Sequence, residues 1–410
     1  MTSKLHTDSA ELIQMGRDFL VPIYRQRERI LDHGKGSRVW DSDGREYMDF
    51  AAGIAVSALG HGDPDILAAL HEQASKLWHT SNAFYSEPPL RLAEELVAAS
   101  AFAKRVFFCN SGSEAIEATI KLVRRWADAQ GKPPERRVIL TFTGSFHGRT
   151  LAAVTATAQP KYQQGFEPLP GGFRHCAFND LEALDAAFDD SVAAVIVEPI
   201  QGEGGVLPVA DGFLAALRDR CDRRGALLVF DEIQCGVGRT GKLWAHEWDG
   251  VQPDVMTVAK GLGCGFPIGA MLVGDRAADT LQFGSHGSTF GGNPLAAAVA
   301  RVALRKLSSD DLLNHVSTQG LHLQLGLERI GNALGVFSEV RGRGLMMGAV
   351  LTPALAGRAT ELLDCAADEG LLLLQAGPDV LRFVPALNIP GDDVDDGLDR
   401  LEKALNRLAA

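Results

Sequence analysis

Leu227-Leu228-Val229-Phe230-Asp231-Glu232-Ile233-Gln234 sets four apolar residues in a row directly before two carboxylates. A strand with one wet face alternates; an unbroken apolar run of this length suits a strand buried on both faces. Runs at 106–109, 138–140, 193–197, 255–258 and 270–273 read the same way. Most gaps between them are tens of residues, too long for hairpins and suited to helical crossovers, so the pattern predicts a mostly parallel α/β sheet. The last two runs lie closer together, where an antiparallel strand fits. Helical periodicity fills the gaps: Ile116, Ile120, Val123 and Ala127 share one face, as do Leu214, Leu217 and Cys221.

The sheet region occupies 50–294. Beyond it the texture changes to a long Ala/Leu/Val-rich helix at 295–307, followed by helices alternating with short strands near 336–340, 344–351, 371–374 and 380–384. This predicts a smaller α+β domain over 295–410, with residues 1–49, including a strand signal at 38–40, packing against it. No internal repeat or low-complexity tract interrupts the chain.

Composition excludes several classes of function. A net charge of −12, from 40 Lys+Arg against 52 Asp+Glu, repels nucleic-acid phosphates overall. The six cysteines form no CxxC pair and are irregularly spaced, which argues against a metal site and against a disulfide framework. No apolar run reaches the roughly 20 residues needed to span a bilayer. The first 25 residues lack the pattern of a signal peptide. The expectation is a cytoplasmic protein without metal, nucleic-acid or membrane partners.

Five stretches carry chemistry. Asn110-Ser111-Gly112-Ser113-Glu114 follows a strand and opens a helix, with Ser111 and Glu114 spaced as a capping box. A helix N-terminus behind a glycine turn attracts an anion such as a phosphate; the same residues also serve plain helix capping. Asp231 lies at the carboxyl edge of the sheet, where α/β ligands bind. There it needs a cationic partner, such as a protonated pyridine nitrogen, unless it merely caps a helix. Lys260 closes an apolar run and enters a loop with Gly261, Gly263 and Gly265. An amine partly desolvated at a strand end attacks carbonyls, although most lysines are solvated surface charges. In 287–294, Ser288 and Thr289 offer hydroxyls on a glycine-rich backbone. Phe146 and Arg149 follow another strand: an aromatic that covers a planar ring or fills the core, and an arginine that clamps a carboxylate or stays on the surface.

Taken in order, NSGSEA, SFHGRT, VEPIQGEGG, VFDEIQCGVGRTG, AKGLG, GFPIGA and GSTFGGNPL resemble the class III (ornithine-type) aminotransferases, and the resemblance covers nearly the whole chain. It implies the pyridoxal-phosphate-dependent fold type I, a large doubly wound domain plus a small α+β domain, working as a homodimer with active sites at the subunit interface. By matching position it implies that Lys260 forms the Schiff base with pyridoxal 5'-phosphate and shuttles a proton. Asp231 would face the pyridine nitrogen, Gln234 the ring hydroxyl, Phe146 the ring face, and Glu198 would lie near the ring. Gly112 and Ser113 would cradle the phosphate, with Thr289 supplied by the other subunit. Arg149 would grip the substrate carboxylate. Glu203 would mask Arg382 while an ω-amino donor is bound, and release it to grip a distal carboxylate when glutamate enters.

Within the family, Gly53-Ile54-Ala55-Val56 resembles the acylornithine branch, since Ile54 stands where free-ornithine enzymes carry tyrosine. Tyr24 and Ser288 match substrate contacts of that branch, and 79–85 matches its acyl end. The expected reaction is N2-acetylornithine δ-transamination with 2-oxoglutarate, in arginine biosynthesis. The alternatives are N2-succinylornithine, free ornithine or 4-aminobutyrate as donor. Ser113 and Ile116 depart from the commoner residues of the branch. An aminomutase or racemase on the same fold would need no 2-oxoglutarate. A cofactor-sensing regulator would need a DNA-binding module, and a Rossmann enzyme would need a GxGxxG absent after the early strands.

Overall fold

In the computed structural model, which describes residues 8–409, the six apolar runs lie in a single seven-stranded sheet. Its strands are β1 (Ala103–Cys109), β2 (Val138–Phe142), β3 (Phe173–Cys176), β4 (Val192–Val197), β5 (Leu227–Asp231), β6 (Val255–Val258) and β7 (Gly269–Gly274). Their order is β1-β7-β6-β5-β4-β2-β3. β7 runs antiparallel to both neighbours, and the other pairings are parallel. Every residue of β4, β5, β6 and β7 is buried, which is why these strands read as continuous apolar runs. β3, Phe-Arg-His-Cys, gave no such run: it is an edge strand with only Cys176 buried.

Helices cover both faces. The helix Gly112–Ala129 buries Ile116, Ile120, Val123 and Ala127 in one cluster with Ile139, Ala194 and Val229. The helix Phe213–Arg224 buries Leu214, Leu217 and Cys221 on the other, against Leu140, Val195 and Leu228. Ile116 is fully buried, so an apolar side chain at this position fills core.

C-terminal to the helix Pro294–Leu307, a second antiparallel sheet contains β8 (Phe337–Arg343), β9 (Met346–Leu351), β10 (Leu374–Gln375) and β11 (Val380–Phe383), in the order β8-β9-β11-β10. The strand expected at 371–374 is divided. Leu371–Leu372 pairs in parallel with Glu46–Asp49 in an N-terminal sheet, whereas Leu374 pairs with Arg382. The run is apolar throughout, so periodicity gives no sign that two sheets share its backbone hydrogen bonds. The N-terminal segment reaches the C-terminal region through Arg27, which donates to the Leu363 carbonyl at 3.0 Å, and Arg29, which meets Asp368 at 2.7 Å. The helix Ser9–Phe19 buries no side chain. All six cysteines are free, and no described helix is long and apolar enough to cross a membrane.

Backbone packs directly on backbone within the C-terminal region and where that region meets residues 239–240. Gly320, inside the helix Asp310–Leu334, faces Gly344 in the β8–β9 turn so closely that an added Cβ would stand 2.4 Å from the Gly344 carbonyl oxygen. Gly344 in turn abuts Arg239 and Thr240, and Leu345 donates to the Arg239 carbonyl. Backbone cannot yield as a flexible side chain does. Gly320→Ala is therefore expected to destabilise the fold by roughly 1–3 kcal/mol, measured as a lowered denaturant midpoint at unchanged slope; a wild-type midpoint would mean the helix shifts freely.

Candidate active site

The parallel strands end on one edge, and a cavity of about 350 Å³ opens there. Asp231, the last residue of β5, lies in its wall, and Lys260 follows the end of β6 two residues on. Register places Asp231 beside Thr257 of β6, so the two chemical groups come from neighbouring strand ends. Glu198, just past the end of β4, joins them, as do Phe146, His147 and Gln234.

Asp231 is 3% exposed, and each of its oxygens has a protein partner. Oδ2 meets Nδ1 of His147 at 2.7 Å, while Oδ1 accepts from the Thr257 hydroxyl at 3.2 Å and the Ile233 N–H at 3.1 Å. No helix follows Asp231, so the helix-capping alternative fails. Its neighbour Glu232 points away from the cavity and accepts from the N–H groups of Ala245 and His246 and from the His246 ring. His147 is fully buried. Burial pushes its imidazole down, but the Asp231 carboxylate against it outweighs this and leaves the ring above its usual range. Its Nε2 has no partner among the described residues.

Burial raises the Glu198 carboxyl to about 7, opposed by His147 and reinforced by Asp231. Its oxygens accept from the N–H of Phe146 at 3.0 Å and of Gly202 at 3.3 Å. Lys260 is half-buried in the cavity wall, and desolvation lowers its amine to about 8, against the pull of Glu203. Its φ of +44° is a left-handed conformation that costs a non-glycine residue roughly 1 kcal/mol or more. Strain and desolvation thus coincide at the residue best suited to carbonyl capture.

At the cavity's other side stands the first turn of the helix Gly112–Ala129, with Gly112 and Ser113 in the lining. The capping pattern is present with one change. Ser111 Oγ accepts from the Glu114 N–H and donates to its carboxylate, but that carboxylate accepts from the Asn110 N–H at 2.7 Å rather than from the Ser111 N–H. A helix N-terminus, a half-buried amine, a buried carboxylate and an aromatic wall suit a planar cationic ring carrying an anionic group.

Other candidates lie around this centre. Gln234 is bracketed: its Nε2 donates to Glu203 at 3.3 Å, and its Oε1 accepts from Arg382 at 3.0 Å. Arg382 is 2% exposed and ion-paired to Glu203, which holds the Glu203 carboxyl below its usual range despite burial. The pair stands behind Gln234, outside the cavity lining. Ser288 Oγ accepts from Asn110, a lining residue, at 3.0 Å. Arg149 is exposed next to the lining residue Gly148, and its N–H donates to Ser113 Oγ. Gly148 has φ +132°, and a Cβ there would stand 2.5 Å from Ser113 Oγ, so only glycine lets this loop touch the helix. Tyr24, Ile54 and Thr289 are exposed and do not line the cavity of their own chain. Ile54 has φ +68°, a strained value for a β-branched residue.

The aminotransferase class-III family model matches residues 23–405. The chain belongs to the class III aminotransferases. Among relatives of this aminotransferase, an acetylornithine aminotransferase of Xanthomonas campestris pv. campestris is 65% identical over 393 residues, 96% of each chain. One of Xylella fastidiosa is 64% identical over 399 residues, 97% of each. Among solved structures, an N-acetylornithine aminotransferase from Stenotrophomonas maltophilia is 56% identical with a TM-score of 0.86, covering 97% of this chain and 99% of its own. An ornithine aminotransferase from Toxoplasma gondii is 33% identical with a TM-score of 0.94, covering 98% and 96%.

Sequence reasoning left His147 without a role, although it makes the closest contact to Asp231. It stands 84 positions from its partner, and no local spacing signals such a pair. Glu117 was missed as well. Its carboxylate accepts from Thr150 Oγ and from the N–H groups of Ala152 and Ala153, sealing the helix Leu151–Ala156 behind Arg149. In the cofactor-free aminotransferase, competitive acetylation of Lys260 followed by mass spectrometry is expected to rise with pH through about 8 and then level off. Below that pH the amine is protonated and inert. A half-point near 10.5, the ordinary lysine value, would remove desolvation as the cause of its reactivity.

Proposed function

We propose that this aminotransferase moves the δ-amino group of N2-acetyl-L-ornithine to 2-oxoglutarate, giving N-acetyl-L-glutamate 5-semialdehyde and L-glutamate, the transamination of arginine biosynthesis. The observation that carries this substrate is the 65% identity, nearly end to end, to a relative named for that amine. The Glu203–Arg382 pair supports it: a buried guanidinium neutralised by a carboxylate of the same chain suits a site that alternates between a donor without a distal charge and a dicarboxylate.

Pyridoxal 5'-phosphate fits the donor set. Gly112 and Ser113 would hold its phosphate, Phe146 its ring face, Asp231 its protonated nitrogen and Gln234 its hydroxyl, with Glu198 nearby. Bound there, it supplies an electron sink for the carbanion formed at the amine-bearing carbon. Lys260 is the attachment point and the base: uncharged above about pH 8, its amine takes the proton from the δ-carbon and later releases it. His147 fixes the orientation of Asp231. Arg149 binds a substrate carboxylate, Tyr24, Ile54 and Ser288 contact the substrate, and residues 79–85 line its acyl end. Thr289, which does not line the cavity of its own chain, would complete the phosphate site of a second copy, so that the working unit is a homodimer.

The purified protein is expected to show the visible band of a bound carbonyl cofactor. N2-acetylornithine should bleach it faster than N2-succinylornithine, ornithine or 4-aminobutyrate, and 2-oxoglutarate should restore it. Succinylornithine winning clearly would replace the substrate; no cofactor uptake at all would overturn the site. Lys260→Ala should reduce turnover at least about a thousandfold, while Asp231→Ala should leave protein that folds but turns over poorly.

A further inference from the structure

Arg149 carries a charge that no carboxylate neutralises among the ion pairs of the described residues, on an exposed loop at the cavity's edge. What meets it is aromatic. The guanidinium carbon lies 3.9 Å from the centroid of the Tyr162 ring and 5.4 Å from that of Phe146. Tyr162 and Phe146 meet edge to face, 5.9 Å apart at 84°. A single ring therefore touches both the arginine beside the cavity and the aromatic in its wall.

Tyr162 is placed by the same short helix that places Arg149. The side-chain amide of the next residue, Gln163, donates to the carbonyls of Val154, Thr155 and Thr157, closing the C-terminal end of the helix Leu151–Ala156. Glu117 closes its N-terminal end, immediately after Arg149 and Thr150. With both ends sealed from outside, the helix fixes the separation of arginine and ring. Lys161 adds a second cation, its Nζ 4.7 Å from the same ring.

We propose that Tyr162 is a positioning residue for Arg149, holding the guanidinium by its face so that the N–H edge stays free for the substrate's carboxylate. This rests on the reading of Arg149 given above. A carboxylate partner would hold the arginine equally well, but would consume the donors and cancel the charge that the substrate must find. A ring attracts the cation through its quadrupole and takes no N–H. An arginine held by nothing would have to be immobilised on binding, at a cost in affinity.

The test uses the cofactor-loaded protein and glutarate, a five-carbon dicarboxylate with no amine to transfer. Its dissociation constant is measured by calorimetry for wild type, Tyr162→Phe, Tyr162→Leu and Arg149→Gln, alongside KM and kcat for the amino donor and the visible cofactor band. Tyr162→Leu should weaken glutarate about two- to fivefold and raise KM with kcat and the band unchanged. Tyr162→Phe, which keeps the ring, should match wild type, and Arg149→Gln should lose more than either. Wild-type affinity in Tyr162→Leu overturns the proposal, as does an equal loss in Tyr162→Phe, which would assign the effect to the hydroxyl. Wild-type affinity in Arg149→Gln removes the carboxylate role of Arg149, and with it the premise; loss in Arg149→Gln beside an unaffected Tyr162→Leu sinks the positioning role alone.

Discussion

Asp231 ends a wholly apolar strand with its carboxylate 3% exposed, and a charge in that position must be met by donors or it does not stay there. Three donors converge on it from three parts of the chain: the His147 ring, the Thr257 hydroxyl and the Ile233 N–H. Lys260 emerges from the adjacent strand, and its amine is desolvated in turn, with Glu203, Asp231 and Glu198 all pulling against that loss. Parallel pairing of β4, β5 and β6 is what makes this possible. Strands running the same way deliver their last residues to one edge, whereas an antiparallel neighbour would carry alternate ends to opposite sides.

The groups around this centre are secured by local devices rather than by burial alone. Ser113 and Glu117, four residues apart on one helix face, bond the loop and the short helix on either side of Arg149. Gly148 permits the contact by having no side chain. On the other flank Gln234 is gripped by Glu203 and Arg382 together, so that any movement of the ion pair is felt by the amide facing the cavity. The strained backbone at Lys260 and Ile54 belongs to the same design: such conformations persist only where surrounding contacts over-determine them.

Much of the sheet was legible because burial on both faces leaves its mark directly on composition. Runs such as Ala-Ala-Val-Ile-Val and Leu-Leu-Val-Phe have no polar position to mislead the reader. β3 was not legible, since an edge strand needs no apolar run, and the break at Leu373 was hidden because both halves of 371–374 are apolar. Asp231 and Lys260 could be chosen because a charge ending an apolar run is conspicuous. That Glu232 turns away while Asp231 turns in was not readable, because the two carboxylates are adjacent and differ only in which side of the strand they leave.

By itself, then, the sequence determined the alternation of buried strands and amphipathic helices, the charged residues at the strand ends, and a family pattern running almost the length of the chain. These are local or ordered along the chain, and hydrophobic periodicity records them. Only the tertiary structure decided that His147 meets Asp231, that Gln234 sits between Glu203 and Arg382, and that Tyr162 lies against Arg149. It also decided that Tyr24, Ile54 and Thr289 stand outside the cavity of their own chain. Such pairings depend on where separate elements bring their side chains to within a few ångströms, and nothing in the spacing of residues along the chain encodes that distance.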